Sequence, residues 1–315
     1  MRGMILYTSD RGGNYELWAY APSVPMNQPL TRGLGEVYSV PYPSPNGRKM
    51  AFIGVDHIVH LLDLRTAAVA RIDQLDPYSL LAWSPDSRFL SYAKNGTIVV
   101  YDTIYHAASA LVQPGAADVQ WFPYGERLLF AAPDSGGNGQ LYAIRADGSG
   151  LMQLTRNTEG PIHHVRLSPN GRQVLYTHPG ASISLITIVT LDTGHKHTLA
   201  GGPLAKNYNP AWSPDSAAIA YSTTVQDDSG YRSFIQTDHP VGGAQETRAI
   251  SDCYATPVAW SPDSRHLAYL SGCTSGGAAT ELRAIDLHRP TAPAVLLASG
   301  GRFTAVSWER MPSLH

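Results

Sequence analysis

Trp212-Ser213-Pro214-Asp215-Ser216 recurs almost letter for letter as Trp83-Ser84-Pro85-Asp86-Ser87 and Trp260-Ser261-Pro262-Asp263-Ser264. Looser copies are Tyr42-Pro43-Ser44-Pro45-Asn46-Gly47, Trp121-Phe122-Pro123-Tyr124-Gly125 and Leu167-Ser168-Pro169-Asn170-Gly171, and a seventh, Val306-Ser307-Trp308, stops before its turn. From Tyr42 through Trp83, Trp121, Leu167, Trp212 and Trp260 to Trp308, the spacings are 41, 38, 46, 45, 48 and 48 residues. A fixed period of this size is the mark of a repeat architecture, and about 40–50 residues suit a four-stranded propeller blade. The phrase has turn chemistry. Its Ser bonds the turn backbone, Pro presets the next dihedral, and Asp or Asn followed by Gly or Ser tolerates the reversal. Each copy therefore reads as a hairpin between an inner first strand and a second strand.

The second strand ends in an aromatic of its own, at Phe52, Tyr92, Phe130, Tyr176, Tyr221 and Tyr269. Such rings fill the wedge between sheets. A third strand follows (98–101, 141–145, 282–285) and then a fourth (69–72, 152–155, 295–298). Trp308 marks a first strand with no second strand after it. Ile5-Leu6-Tyr7 is a second strand with no first before it, continued by strands at 16–20 and near 29–31. The termini are expected to complete one blade between them, hiding the sheet edges an open array would expose. The expectation is an all-β, seven-bladed propeller of four-stranded antiparallel blades, with residues 1–315 as one domain.

Thr8-Ser9-Asp10-Arg11-Gly12-Gly13-Asn14 followed by Leu17-Trp18 resembles the repeat of the TolB-like (PD40, WD40-like) propellers. So do Leu141-Tyr142-Ala143, Asp147-Gly148, Leu154-Thr155 and Ser168-Pro169-Asn170-Gly171-Arg172. The resemblance runs over essentially the whole chain. It implies the propeller fold and is nearly silent on function, since propellers of this kind occur beside peptidase domains, in lyases and in scaffolds.

The 315 residues carry a net charge of -2 with only 15% charged side chains, and no basic stripe of the kind nucleic acid requires. The 29 Gly and 23 Pro are spread along the chain, favouring short strands and many turns. The longest apolar stretch, 183–191, is interrupted by Ser184, Thr187 and Thr190, so no membrane insertion is expected. The N-terminus lacks the apolar region and cleavage site of a signal peptide, which fits either an intracellular protein or a trimmed mature form.

The standard hydrolase, nucleotide and zinc signatures are missing. Of 12 histidines, His163-His164 stand just before a first strand and read as solvated imidazoles, because a metal site needs three or four converging ligands. His195, His197, His57 and His60 read as surface or packing residues. Asn95-Gly96-Thr97 matches a glycosylation sequon but reads as a two-residue hairpin turn. Long loops between second and third strands are expected at 9–15, 132–140, 178–184, 223–231 and 271–280, walling one side of a central mouth. Residues entering the first strands on that face are Tyr38, Ser79, Asp118, His163, His164, Tyr208, Asn209, Thr256 and Arg302. This mixture of aromatic and hydrogen-bonding groups suits a ligand site. The expected function is a non-enzymatic binding or scaffold module for a protein, a peptide or a polar small molecule, monomeric, with no cofactor and no metal. The alternatives are a metal-dependent lyase or lactonase acting on a sugar derivative, or a ligand-binding sensor domain of a larger protein.

Cys253 and Cys273 are the only cysteines, and they lie equidistant from Asp263 in the Ser261-Pro262-Asp263-Ser264 turn. Residues equidistant from a hairpin turn face each other, so a disulfide is expected. A bridge favours a periplasmic or extracellular home, and free thiols a cytoplasmic one.

Overall fold

The computed structural model describes residues 1–23, 26–32, 41–75, 80–180, 184–199, 206–227, 230–273 and 277–310. Five four-stranded sheets span 42–74, 81–111, 117–153, 163–199 and 206–251, each with its strands hydrogen-bonded in chain order. A sixth sheet has seven strands and joins the two ends of the chain.

That sheet is where the expected seven separate blades and the observed sheets differ. The strand Val295–Glu309 pairs with Ala279–Asp286 through its first half and with Met4–Ser9 through its second, setting Ile5 opposite Trp308 and Tyr7 opposite Val306. One unbroken strand thus serves as an outer strand and then as an inner one. Gly300 and Gly301 stand at the crossing: Gly300 has φ 87°, and a Cβ on Gly301 would lie 2.6 Å from that of Arg11. Only glycine accepts both demands cheaply.

Two compact units make up the chain, Met1–Pro41 with Phe52–His60 and Gly201–His315, and Tyr42–Ala51 with Leu61–Ala200. In the first, Ile5, Tyr7, Leu282, Phe303, Val306 and Trp308 form one core and Ile235, Val258, Trp260 and Tyr269 another. In the second, Val119, Trp121 and Phe130 form one cluster, and Leu141, Val165 and Tyr176 the next.

The second-strand rings Tyr7, Tyr92, Tyr176, Tyr221, Phe52 and Phe130 are fully buried. Each removes roughly 150–250 Å² of mostly apolar surface from water, on the order of 4 kcal/mol at the usual coefficient. Where the ring is tyrosine its hydroxyl has a side-chain partner in or beside the outer strand: Asp73 for Tyr92 at 2.9 Å, Asn27 for Tyr7 at 2.5 Å, Gln245 for Tyr221 at 2.5 Å and, more weakly, Asn157 for Tyr176 at 3.5 Å.

The turns repeat one hydrogen-bond set. The hydroxyl of Ser84 donates to the Asp86 carboxylate and accepts the Phe89 N–H, and Ser213 and Ser261 repeat the pattern. Two pairs of neighbouring turns are also tied together within a unit, since Ser87 accepts the Asn46 N–H at 3.0 Å and Ser264 the Asp215 N–H at 3.3 Å.

Two outer strands end earlier than expected. They are Met26–Pro29 and Met152–Gln153, rather than 29–31 and 152–155. The following Leu-Thr pair explains this. The Thr31 and Thr155 hydroxyls accept the N–H groups of Leu17 and Leu141 at 3.0 and 2.9 Å, so a side chain takes over the ladder where the backbone turns away.

Candidate functional site

Asp118, His164 and Asn209 occupy the same point of three successive repeats, three residues before Trp121, Leu167 and Trp212. Each has positive φ, 51°, 53° and 52°, at a register shift in its inner strand. Asp, His and Asn are among the few non-glycine residues that enter this region readily. Backbone conformation therefore accounts for residue types that resemble ligand groups in the sequence. Their side chains are also engaged. The Asp118 carboxylate accepts the Val165 N–H at 3.0 Å, and the Asn209 amide donates to the Ala255 carbonyl at 2.7 Å. Gln120 completes the first clamp, donating to the Val165 carbonyl at 2.9 Å and accepting the Leu167 N–H at 2.7 Å.

In the second unit these positions bring together a polar group of Tyr42, Asp118, His163, His164 and Arg166. His163 and His164 are both solvent-accessible, and His164 Nδ1 lies 2.9 Å from the Thr177 hydroxyl. Crowding by protein holds the His164 pKa below the usual imidazole value, helped by Arg166 and His163 and opposed by Asp118. Burial pushes the Tyr42 phenol up, against the pull of Arg166. At neutral pH the group therefore offers a neutral imidazole and a neutral phenol. The sequence reading counts Tyr42 only as a turn aromatic and overlooks Arg166.

In the first unit Tyr208 lies beside two tyrosines that the sequence reading missed. Its hydroxyl hydrogen-bonds that of Tyr254, with ring centroids 5.2 Å apart, and Tyr231 packs edge-on against Tyr254 at 4.9 Å. Tyr254 and Tyr231 remain 50% and 47% exposed, large values for rings in mutual contact. Burial and the other two tyrosines raise the Tyr208 phenol well above its ordinary value.

Tyr231 reaches this place because 223–227 and 230–231, expected as loop, belong to the strands Ile219–Asp227 and Gly230–Asp238, with Gln226 opposite Tyr231. Thr223, Thr224 and Val225 are β-branched and favour that extension. The backbone carrying Tyr254 is pinned on both sides. The Cys253 carbonyl accepts the Ser233 hydroxyl at 2.6 Å, the Ala255 N–H donates to Thr224 at 3.1 Å, and Ser251 and Thr256 both donate to the Leu270 carbonyl at 2.7 Å. Cys253 is bridged to Cys273, with Cα atoms 5.1 Å apart. Asp252 accepts from Ser271 and from the Gly272 N–H.

The remaining sequence candidates fall elsewhere. Thr256 is buried and bonded to Leu270, so it supports the backbone and offers nothing to solvent. Arg302 is paired with Asp10 at 2.7 Å and ties the two ends of the chain. Tyr38 and Ser79 lie outside the described residues. A separate cleft of about 310 Å³ in the first unit is lined by Asp215, Asp238, Glu246, Arg248, Trp260 and Leu287, among others. Among the described residues no group of three or more His, Cys, Asp or Glu is arranged to hold a metal ion, and no helix is long and apolar enough to cross a membrane.

Solved structures with the same fold include TolB from Acinetobacter baumannii, with 15% identity over 95% of this chain and 79% of that one and a TM-score of 0.56. An oligogalacturonate lyase in complex with manganese matches with 14% identity over 85% of this chain and 82% of that one, TM-score 0.68. The oligogalacturonate lyase from Vibrio parahaemolyticus matches with 13% identity over 89% and 85%, TM-score 0.69. At these identities the likeness establishes the fold alone, an all-β propeller of four-stranded antiparallel blades. No curated protein matches the sequence significantly. The family model described as the TolB beta propeller domain, PD40, matches residues 40–262, and the chain belongs to that family.

Proposed function

We propose that this chain is a non-enzymatic binding module, and that the Tyr208, Tyr231 and Tyr254 ledge of its first unit is the surface that meets a protein, a peptide or a polar ligand. The observation that carries this reading is the pair of half-exposed rings held on a backbone with little freedom. Tyrosine offers broad amphipathic area with only two side-chain torsions to immobilise, which is why it recurs at binding hot spots. A preorganised backbone spares further ordering cost on association.

Two finer readings accompany it. Residues 1–315 form one propeller of seven blades, the seven-stranded sheet counting as two that share Val295–Glu309. The Cys253–Cys273 bridge favours an oxidising compartment, periplasmic or extracellular.

The test is to probe a peptide array and a glycan array with the purified protein and with Tyr254→Ser. Binders recovered by the wild type and lost by the variant, with unchanged thermal unfolding, are the expected result. Binders retained in full by Tyr254→Ser would remove the ledge from the reading.

A further inference from the structure

We propose that the tyrosine ledge accepts a proline-rich peptide segment in the polyproline II conformation, an assignment of partner that rests on the binding-module reading above. The first argument is shape. The Tyr254 ring is inclined by 59° to Tyr208 and by 65° to Tyr231, so it presents a facet tilted from that of each neighbour. A sugar ring stacks on one flat face. A polyproline II segment, with three residues per turn and about 3.1 Å rise per residue, sets successive pyrrolidine rings about 120° apart around its axis and meets tilted facets in turn.

The second argument is hydrogen bonding. Tyr208 and Tyr254 share one hydrogen bond between their hydroxyls, and whichever donates it, the other keeps its O–H for a partner outside. Burial and the neighbouring phenols of Tyr254 and Tyr231 raise the Tyr208 phenol above its ordinary value. The carboxylate nearest in sequence, Asp252, has one oxygen accepting from both Ser271 and Gly272. The ledge therefore offers a free O–H donor, phenol oxygens as weak acceptors, and apolar ring surface. A proline tertiary amide is the matching half, an acceptor carbonyl with no N–H to satisfy. An oligosaccharide brings many hydroxyl donors that need acceptors, and a cation needs a carboxylate or enclosing ring faces.

The third argument is entropy. Ser233, Thr224 and Leu270 hold the 251–256 backbone, and a polyproline II peptide is already stiff, so neither side loses much freedom on association.

Fluorescein-labelled decaproline, a Gly-Ser decapeptide and chitotriose are titrated against the full chain, with fluorescence anisotropy for the peptides and calorimetry for the sugar. Decaproline should bind in preference to the Gly-Ser peptide. Tyr254→Ser should weaken it about thirty-fold, the scale of an interface hot spot. Tyr254→Phe keeps the ring and should lose about three- to ten-fold. Tyr124→Ser, at a still more exposed tyrosine on a turn of the second unit, should change nothing. Equal binding of the two peptides, or decaproline binding indifferent to Tyr254→Ser in a variant that unfolds like the wild type, overturns the proposal. Chitotriose bound through Tyr254 in place of decaproline overturns it while keeping the binding module. Failure of both probes, together with array binding unaffected by Tyr254→Ser, overturns both.

Discussion

Glu309 closes the strand Val295–Glu309, opposite Met4, and its carboxyl has no hydrogen-bond or ion-pair partner among the described residues. Desolvation is the single cause acting on it, and it pushes the pKa from 4.5 to about 7. A raised pKa on an acid means that the folded chain holds a proton the unfolded chain releases. That contribution is complete below about pH 4.5 and is lost as pH rises through about 7. Relative to a neutral isostere, the wild type therefore carries a growing penalty on the alkaline side. The displacement corresponds to about 3 kcal/mol at most. The side chain is only partly buried, so about 1–3 kcal/mol is the working figure. Glu309→Gln should raise stability by that amount at about pH 8 and by almost nothing at about pH 4.5. Urea unfolding across this range reads it as a shift in midpoint at constant slope. A variant that is no more stable than the wild type at the alkaline end, or one whose gain is the same at every pH, refutes the reasoning.

Gln120→Leu removes both bonds to the neighbouring inner strand; the Val165 carbonyl keeps the Arg166 guanidinium as a donor but the Leu167 N–H is left unmatched, so a loss of about 1–3 kcal/mol is expected in denaturant unfolding. A loss below about 0.5 kcal/mol would mean that water replaces the clamp freely. The bridge between Cys253 and Cys273 closes a separation of 20 residues, and the double Cys→Ser variant should lose about 3 kcal/mol on the chain-entropy model. Intact-mass analysis of unreduced protein after alkylation should find neither cysteine modified, and two alkylated cysteines would contradict the bridge. The His164 imidazole should titrate below its ordinary value of about 6.5 in an NMR pH series. Because its folded-state pKa is lowered, the chain loses stability as pH falls below that unfolded value, and a midpoint at or above it would remove the crowding argument.

The fold was legible in the sequence because the repeat carries its own chemistry at every copy. Ser-Pro-Asp specifies a turn whose hydroxyl and carboxylate bonds close locally, so its meaning needs no knowledge of the rest of the chain. The second-strand aromatics likewise announce burial by type and spacing. Where strands end was harder to read. Leu30-Thr31 and Leu154-Thr155 look like strand residues, and only the structure reveals that the threonine hydroxyl replaces the ladder there. The pairing of Ile5-Leu6-Tyr7 with the Trp308 strand was legible, but its fusion with the preceding outer strand was not. Nothing in Gly300-Gly301 states that one strand will pass from an outer role to an inner one.

The candidate site was read less well, and the cause is specific. Position in a repeat tells which residues enter an inner strand, but not whether their polarity serves solvent or the backbone. Asp118 and Asn209 satisfy a positive φ and then clamp a neighbouring strand, Arg302 neutralises Asp10, and Thr256 bonds Leu270. Asp118, Asn209 and Thr256 have thus given their hydrogen-bonding groups to the backbone, and Arg302 has given its Nε to Asp10. Tyr208 differs because its partners are other side chains at the surface, and those partners come from places that strand spacing ignores. Tyr254 follows Cys253 in a connection, and Tyr231 stands on a hairpin that was expected to be loop. The one available signal was the disulfide spacing. A bridge pairing Cys253 with a residue across the hairpin already implies that Tyr254 is carried on backbone that cannot move far, and an exposed aromatic on such backbone is the kind of residue a binding surface uses.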